Sequence, residues 1–320
     1  MNKTDFFVVG NPKSGTTTIH NLLKQHPEIF MPKKKELVYF CTDIHKSSDK
    51  FHGYQRNYHV RDLKRYESFY KDARKNQIRG EVTPHYTSSR VAAQNIYEYN
   101  KNAKIIIFLR EPVAYLYSLH QDLIADLSET EENFKKAIEL ENTRKKRENI
   151  PSTVSYPEVL FYSEMASYKE QIERYVSIFG KKNIKIFFLE NMKDNLLGIY
   201  KEICKFIGVE DTTFRPELKV FRNSSKKLRF KKLFMFISNS RVLNYIKKNL
   251  PSEIYSKVSE IPNTIITRYF FSREHKNKIN EEFRNKLRGE YKGKVKELNE
   301  YLHSEGLIDF DLLKFWRYEE

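Results

Sequence analysis

The segment Phe7–His20, FVVGNPKSGTTTIH, joins an apolar strand to a loop bounded by two glycines and then to a helix that opens on three threonines. A strand, loop and helix start of this kind aims several backbone N–H groups at one point, where the helix macrodipole favours an anion. A phosphate is expected there. Gly10 and Gly15 have the spacing of the nucleoside-triphosphatase pattern G-x-x-x-x-G-K-[ST], in which lysine directly follows the second glycine. Thr16 takes that place here, and the cation is Lys13, inside the loop. The lysine should therefore meet a different part of its ligand, and ATP·Mg²⁺ geometry is not supported. In isolation, a glycine turn with a solvated lysine accounts for the same residues, so other segments must decide.

Lys104–Ser118, KIIIFLREPVAYLYS, is the second such segment. Five apolar residues between Lys104 and Arg110 read as a buried strand of a parallel sheet. Pro112 stops that strand and can open a helix at its first turn. Arg110 then stands at the carboxyl end of a strand, where open α/β sheets place their ligands. Ser118 follows about two helical turns after the helix start. A planar guanidinium can give two parallel hydrogen bonds to a phosphate. An ion pair with Glu111 explains Arg110 alone equally well.

Taken together, these residues resemble a family. PKSGTT at Pro12–Thr17 resembles the 5′-phosphosulfate loop of sulfotransferases that use 3′-phosphoadenosine 5′-phosphosulfate (PAPS). Arg110-x-Pro112, with Ser118 eight positions after the arginine, resembles their 3′-phosphate site. KKKELVYF at Lys33–Phe40 resembles the K-E-x-x-x-F element of heparan sulfate and related bacterial carbohydrate sulfotransferases. The resemblance implies that Glu36 is the general base for an acceptor hydroxyl and that Lys13 stabilises the leaving group. It implies that Ser14, Gly15, Thr16, Thr17 and Thr18 hold the 5′-phosphate. A carboxylate within reach of a weakly nucleophilic hydroxyl is chemically sensible. A solvated charge cluster explains KKKE without it.

GEVTPHY at Gly80–Tyr86 resembles the E-K-T-P-x-Y segment of the heparan sulfate enzymes, with Glu81, Thr83, Pro84 and Tyr86 matching and Val82 in place of the lysine. That lysine helps carry charge on the sulfuryl group in the family, so its loss leaves Lys13 as the main cationic catalyst by elimination. His85 either compensates or is structural. Glu81, Thr83, His85 and Tyr86 are the candidate acceptor contacts. The family's segment after Phe221 lies over the nucleotide, which makes Arg222, Asn223 and Lys226 candidates for the 3′-phosphate. The strand-end tyrosine of cytosolic sulfotransferases falls at Leu189, so its contacts do not carry over. The likeness covers most of the chain and is strongest over residues 5–120.

The elements that must position these groups follow from the pattern of apolar runs. Strands are expected near 5–10, 78–82, 104–110 and 184–190, with helical patterns between them, Leu197–Gly208 the clearest. The implied fold is α/β: a P-loop-type, mainly parallel sheet flanked by helices, with a helical part from about 225 to 303. A single domain over 1–320 is compatible with the length. Only Cys41 and Cys204 are present, so no disulfide framework is indicated. An apolar strand beginning at Phe6 leaves no room for a signal peptide, and the expected location is the cytoplasm, with peripheral membrane contact open.

The chain has 58 Lys+Arg against 42 Asp+Glu, a formal charge of +16 that favours anionic partners. Residues 222–250 hold nine Lys or Arg and no acid, interleaved with apolar side chains. Such a segment suits a lid over the nucleotide, an acidic-glycan groove or an anionic membrane surface. The expected reaction is sulfuryl transfer from PAPS to a hydroxyl, with a carbohydrate or polysaccharide as acceptor, no metal and no specific nucleic-acid partner. A P-loop kinase or NTPase, and a non-catalytic basic module binding acidic glycan, nucleic acid or membrane, are the alternatives. The first lacks a lysine after Gly15; the second leaves Glu36 and Arg110 unexplained.

Overall fold

Ile105–Leu109 is apolar at every position because the strand it forms is covered on both faces. The computed structural model describes residues 3–55, 60–211, 213–218, 226–228, 271–273 and 279–319. Five strands, β1 (Phe6–Val8), β2 (Ile29–Phe30), β3 (Ile78–Val82), β4 (Lys104–Leu109) and β5 (Ile184–Phe188), make one all-parallel sheet in the order β2-β3-β1-β4-β5. The longer helices are α1 (Thr16–Leu23), α2 (Thr42–His52), α3 (Ala92–Tyr99), α4 (Pro112–Ala125), α5 (Tyr168–Phe179), α6 (Leu196–Ile207) and α7 (Glu281–Ser304). The four expected strands are present. β2 is an addition, too short for a periodic signal.

Alternate residues of each strand enter different cores. Phe7, Val9, Ile105, Ile107, Leu109, Ile186 and Phe188 pack with residues of α3, α4, α5 and α7; Phe6, Val8, Ile106, Phe108 and Phe187 pack with α1 and α6. From β1 the chain runs to β2 and then β3 on one side, and crosses β1 to reach β4 on the other. The carboxyl ends of β1 and β4 therefore form the switch point of the sheet, where open α/β folds bind ligands.

Two features hold this edge. Parallel bonding between β1 and β4 continues past the strand end, with Val9 N–H donating to Ile106 O at 2.9 Å and Asn11 N–H to Phe108 O at 3.1 Å. Gly10 lies between them, so close to β4 that a Cβ would stand 2.1 Å from the Phe108 nitrogen. Opposite, the C-terminal residues dock on Glu111, the residue after Arg110. α7 buries Leu287, Tyr291, Val295, Leu298 and Leu302 along one face. From that helix Arg288 Nη1 reaches Glu111 Oε1 at 3.1 Å and Nη2 donates to Trp316 O at 2.7 Å. Tyr318 Oη donates to the same Glu111 oxygen at 2.5 Å, while Glu111 Oε2 caps α4 by accepting from Ala114 N–H at 2.6 Å.

The expected helical C-terminal part is present as α7. It does not begin at 225: Lys226–Leu228 is extended (β6) and pairs antiparallel with Phe271–Arg273 (β7). The partner strand is distant in sequence, and no local pattern announces it. Arg222, Asn223 and, apart from 226–228, the remainder of the basic stretch 222–250 lie outside the described residues.

Arg288→Met would leave Glu111 and the carbonyls of Trp316 and Arg317 without their shared cation. We expect a loss of about 3 kcal/mol in urea denaturation, the scale of breaking a largely buried ion pair from one side.

Candidate active site

Gly15 ends the loop at φ +91°, a left-handed turn that starts α1 and suits glycine because a Cβ there would meet Met192 Sδ at 2.6 Å. Thr16, Thr17 and Thr18 form the first turn of α1, in which the Thr18 N–H donates to Gly15 O at 3.0 Å and the Thr16 and Thr17 N–H groups lead the helix. Lys13, inside the loop, also takes a positive φ of 63°, and Glu36 takes 57°. A non-glycine residue in this region is strained, and such residues concentrate at functional sites. Glu36 is held by its N–H, which donates to Val82 O at 3.0 Å at the carboxyl end of β3.

These groups border one cavity of about 960 Å³, large enough for a nucleotide-sized ligand. Lys13, Gly15, Thr16, Thr17 and Thr18 line it together with Arg110, Ser118, Glu36, Pro84 and His85. Leu189 and Met192 add apolar surface beside the loop. Arg110 Nη1 donates to Lys13 O at 3.3 Å and its own carbonyl accepts from Tyr168 Oη at 3.0 Å, so the arginine is tied to the loop and to α5. Burial lowers its pKa, though a guanidinium keeps its charge.

The structure separates the remaining sequence candidates. Ser14 is fully buried and its Oγ has no partner among the described residues, so its hydroxyl does not face the cavity. Glu81, Thr83 and Tyr86 are core residues and do not line an acceptor surface, which corrects their assignment as acceptor contacts. The Glu81 carboxylate is 2% exposed and accepts from Tyr66 Oη, Thr83 Oγ1 and Tyr86 Oη, each at 2.7 Å. Of that segment His85 alone among the four candidates reaches the cavity. Its Nδ1 lies 3.1 Å from Tyr156 Oη, and burial lowers its pKa, favouring the neutral ring, against smaller opposing pulls from Glu36 and Asp122.

Other cavity residues escaped the sequence reading. Lys13 Nζ sits 2.8 Å from Asp122 Oδ1 on α4, so the loop cation has a resident carboxylate. Asp122 follows Ser118 by four residues, and that spacing on a helix is the signal that could have found it. Leu119 and Leu123 share the same face and line the cavity with Val159. Beside the cavity, and not itself lining it, Lys35 links two residues that do: its Nζ donates to Thr17 Oγ1 at 2.8 Å and lies 3.7 Å from Glu36 Oε1.

The Sulfotransferase domain family matches residues 3–299. The chain belongs to the sulfotransferase family. A crystal structure of a sulfotransferase from Alicyclobacillus acidocaldarius is similar over 78% of this chain and 98% of its own length, at 26% identity and a TM-score of 0.59. The membrane-associated sulfotransferase kil1 of Dictyostelium discoideum is 31% identical over 109 residues, which are 34% of this chain and 21% of that protein. The chain thus spans about a fifth of this curated relative. The expected α/β fold and the reading as a sulfotransferase enzyme both stand on these findings. No helix among the described residues is long and apolar enough to cross a membrane.

Burial raises the Glu81 carboxyl to about 6 from 4.5, against three hydroxyl donors that pull it down. A carboxyl whose pKa is higher folded than unfolded stabilises the protein below its unfolded pKa and loses that contribution as pH rises through the folded value. Wild-type sulfotransferase should therefore lose about 1.5 kcal/mol relative to Glu81→Gln between pH 4.5 and pH 6.5, read from paired urea melts. A constant difference between the two proteins across that range would show that Glu81 does not titrate there.

Proposed function

We propose that this sulfotransferase moves a sulfuryl group from PAPS to an acceptor hydroxyl, with Glu36 as general base. The supporting observation is the single cavity shared by the phosphate loop, Arg110, Ser118 and Glu36. PAPS carries a phosphosulfate at the 5′ position of its ribose and a phosphate at the 3′ position, and a donor of that shape needs two anion sites at a fixed separation. The loop with Thr16, Thr17 and Thr18 suits the 5′ group, and Arg110 with Ser118 suits the 3′ group.

In the proposed in-line step the acceptor oxygen attacks sulfur, the bond from sulfur to the 5′-phosphate oxygen breaks, and its electron pair stays on the phosphate. Glu36 accepts the hydroxyl proton. Lys13 and the N–H groups at the start of α1 stabilise the departing phosphate oxygen, a task for which Lys13 must turn from Asp122. Arg222, Asn223 and Lys226 are proposed to complete the 3′-phosphate site. For the acceptor we infer a carbohydrate hydroxyl, on the likeness of KKKELVYF to carbohydrate sulfotransferases, with the basic stretch 222–250 as its anionic-substrate surface. The name of the Dictyostelium relative gives weight to a second role for that stretch, contact with an anionic membrane from the cytoplasmic side.

Adenosine 3′,5′-bisphosphate should bind wild type, and Arg110→Ala should weaken it by about 2 kcal/mol, the worth of a charge-assisted contact. Adenosine 5′-phosphosulfate, which lacks the 3′ group, should bind both proteins alike; equal losses for the two ligands would remove Arg110 from the 3′ site. Glu36→Gln should keep bisphosphate affinity and cut turnover by about 100-fold. Turnover is read by mass spectrometry of glycan, lipid and phenol acceptors incubated with PAPS. A product confined to phenols would overturn the carbohydrate assignment and leave sulfuryl transfer standing.

A further inference from the structure

Lys35 differs from the two lysines before it. Lys33 and Lys34 are exposed, whereas the Lys35 side chain is 18% exposed and turned onto the first turn of α1, where its Nζ donates to Thr17 Oγ1 at 2.8 Å. The backbone dictates this direction. Glu36 is pinned to Val82 O through its own N–H, and its left-handed φ sends Lys35 and Glu36 along different paths.

Among the described residues the carboxylate paired with Lys35 is Glu36, at 3.7 Å, longer than the 2.8 Å between Lys13 and Asp122. A neutral hydroxyl offsets little of the cost of drying an ammonium. Burial accordingly lowers the Lys35 pKa, and Lys13 adds to the drop, while Glu36 opposes it. Lys35 therefore holds the less compensated positive charge of the two.

Its position gives that charge a task. In-line displacement sets the attacking oxygen and the leaving oxygen on opposite sides of sulfur. If Glu36 holds the first and the loop holds the second, the sulfur lies between them, and the side chain that spans Thr17 and Glu36 stands level with it.

We propose that Lys35 is a catalytic residue whose ammonium hydrogen-bonds a non-bridging oxygen of the sulfuryl group during transfer. Lys35 keeps its protons throughout: the acceptor proton goes to Glu36, and the electron pair of the broken bond stays on the 5′-phosphate. Lys13 then acts on the leaving phosphate and Lys35 on the group that moves. The proposal rests on the sulfuryl-transfer reading given above.

The test exploits the one difference between the two ligands, since adenosine 3′,5′-bisphosphate lacks the sulfuryl group and PAPS carries it. By calorimetric titration, Lys35→Met should lower affinity for PAPS by about tenfold while leaving the bisphosphate within about twofold, as expected for one charge-assisted hydrogen bond. Lys35→Arg, which keeps the charge, should retain most of the preference for PAPS. Conversion of PAPS should fall in the Met variant and recover in part in the Arg variant. Equal losses for both ligands in the Met variant, or no loss for either, would overturn the proposal by reducing Lys35 to a tie between loop and strand. If the Met variant does not fold, Lys35→Gln carries the same comparison. A wild type that binds neither ligand would instead bring down the sulfuryl-transfer reading, and the role of Lys35 with it.

Discussion

The approach of β1 to β4 at Gly10 is the constraint on which the site depends. With no Cβ at residue 10, the backbone passes against Phe108, and the parallel bonding of the two strands runs on to Asn11. The phosphate loop therefore leaves the sheet at the same level at which β4 ends and Arg110 begins. That is why the Arg110 guanidinium can reach the Lys13 carbonyl. A larger residue at position 10 would push the loop from β4 and spread the two anion-binding elements apart, whatever their own side chains could still do.

Strain and charge are concentrated around this junction. Lys13 and Glu36 both occupy the left-handed region, and so does Val38, a β-branched residue for which that conformation is unfavourable. The cost is borne by the packed core beneath: Leu37, Val38 and Phe40 are all buried with Phe7 and Tyr86. The charges arrive already paired, Lys13 with Asp122 and Lys35 with Glu36. An anionic ligand entering between these pairs exchanges partners with them, so its binding free energy is a difference between two charge-assisted contacts.

What was legible in the sequence was what depends on neighbours along the chain. Glycine spacing announced the loop, a five-residue apolar run announced β4, and Pro112 announced the start of α4. The residues misread from GEVTPHY depend on contacts across the chain. Glu81 looks like an active-site carboxylate until Tyr66, fifteen positions earlier, is seen to donate to it inside the core. The pairing of Lys13 with Asp122 spans 109 residues, and the pairing of β6 with β7 has no local signature. Lys35 was hidden differently: three adjacent lysines look alike in sequence, and only the backbone turn at Glu36 distinguishes the third.

The docking of Arg288 and Tyr318 on Glu111 has a consequence for the order in which the molecule is made. Arg110 and the loop lie within the first 110 residues of the chain, and the strands of the parallel sheet are complete by Phe188. The residues that clamp the neighbour of Arg110 lie 177 and 207 positions further on. During synthesis, in which earlier parts of a chain emerge first, the sheet can assemble while its ligand-binding edge still lacks this support. The edge acquires its last contacts only after residue 318 has left the ribosome, so a nascent chain would hold a formed sheet well before it held a finished binding edge.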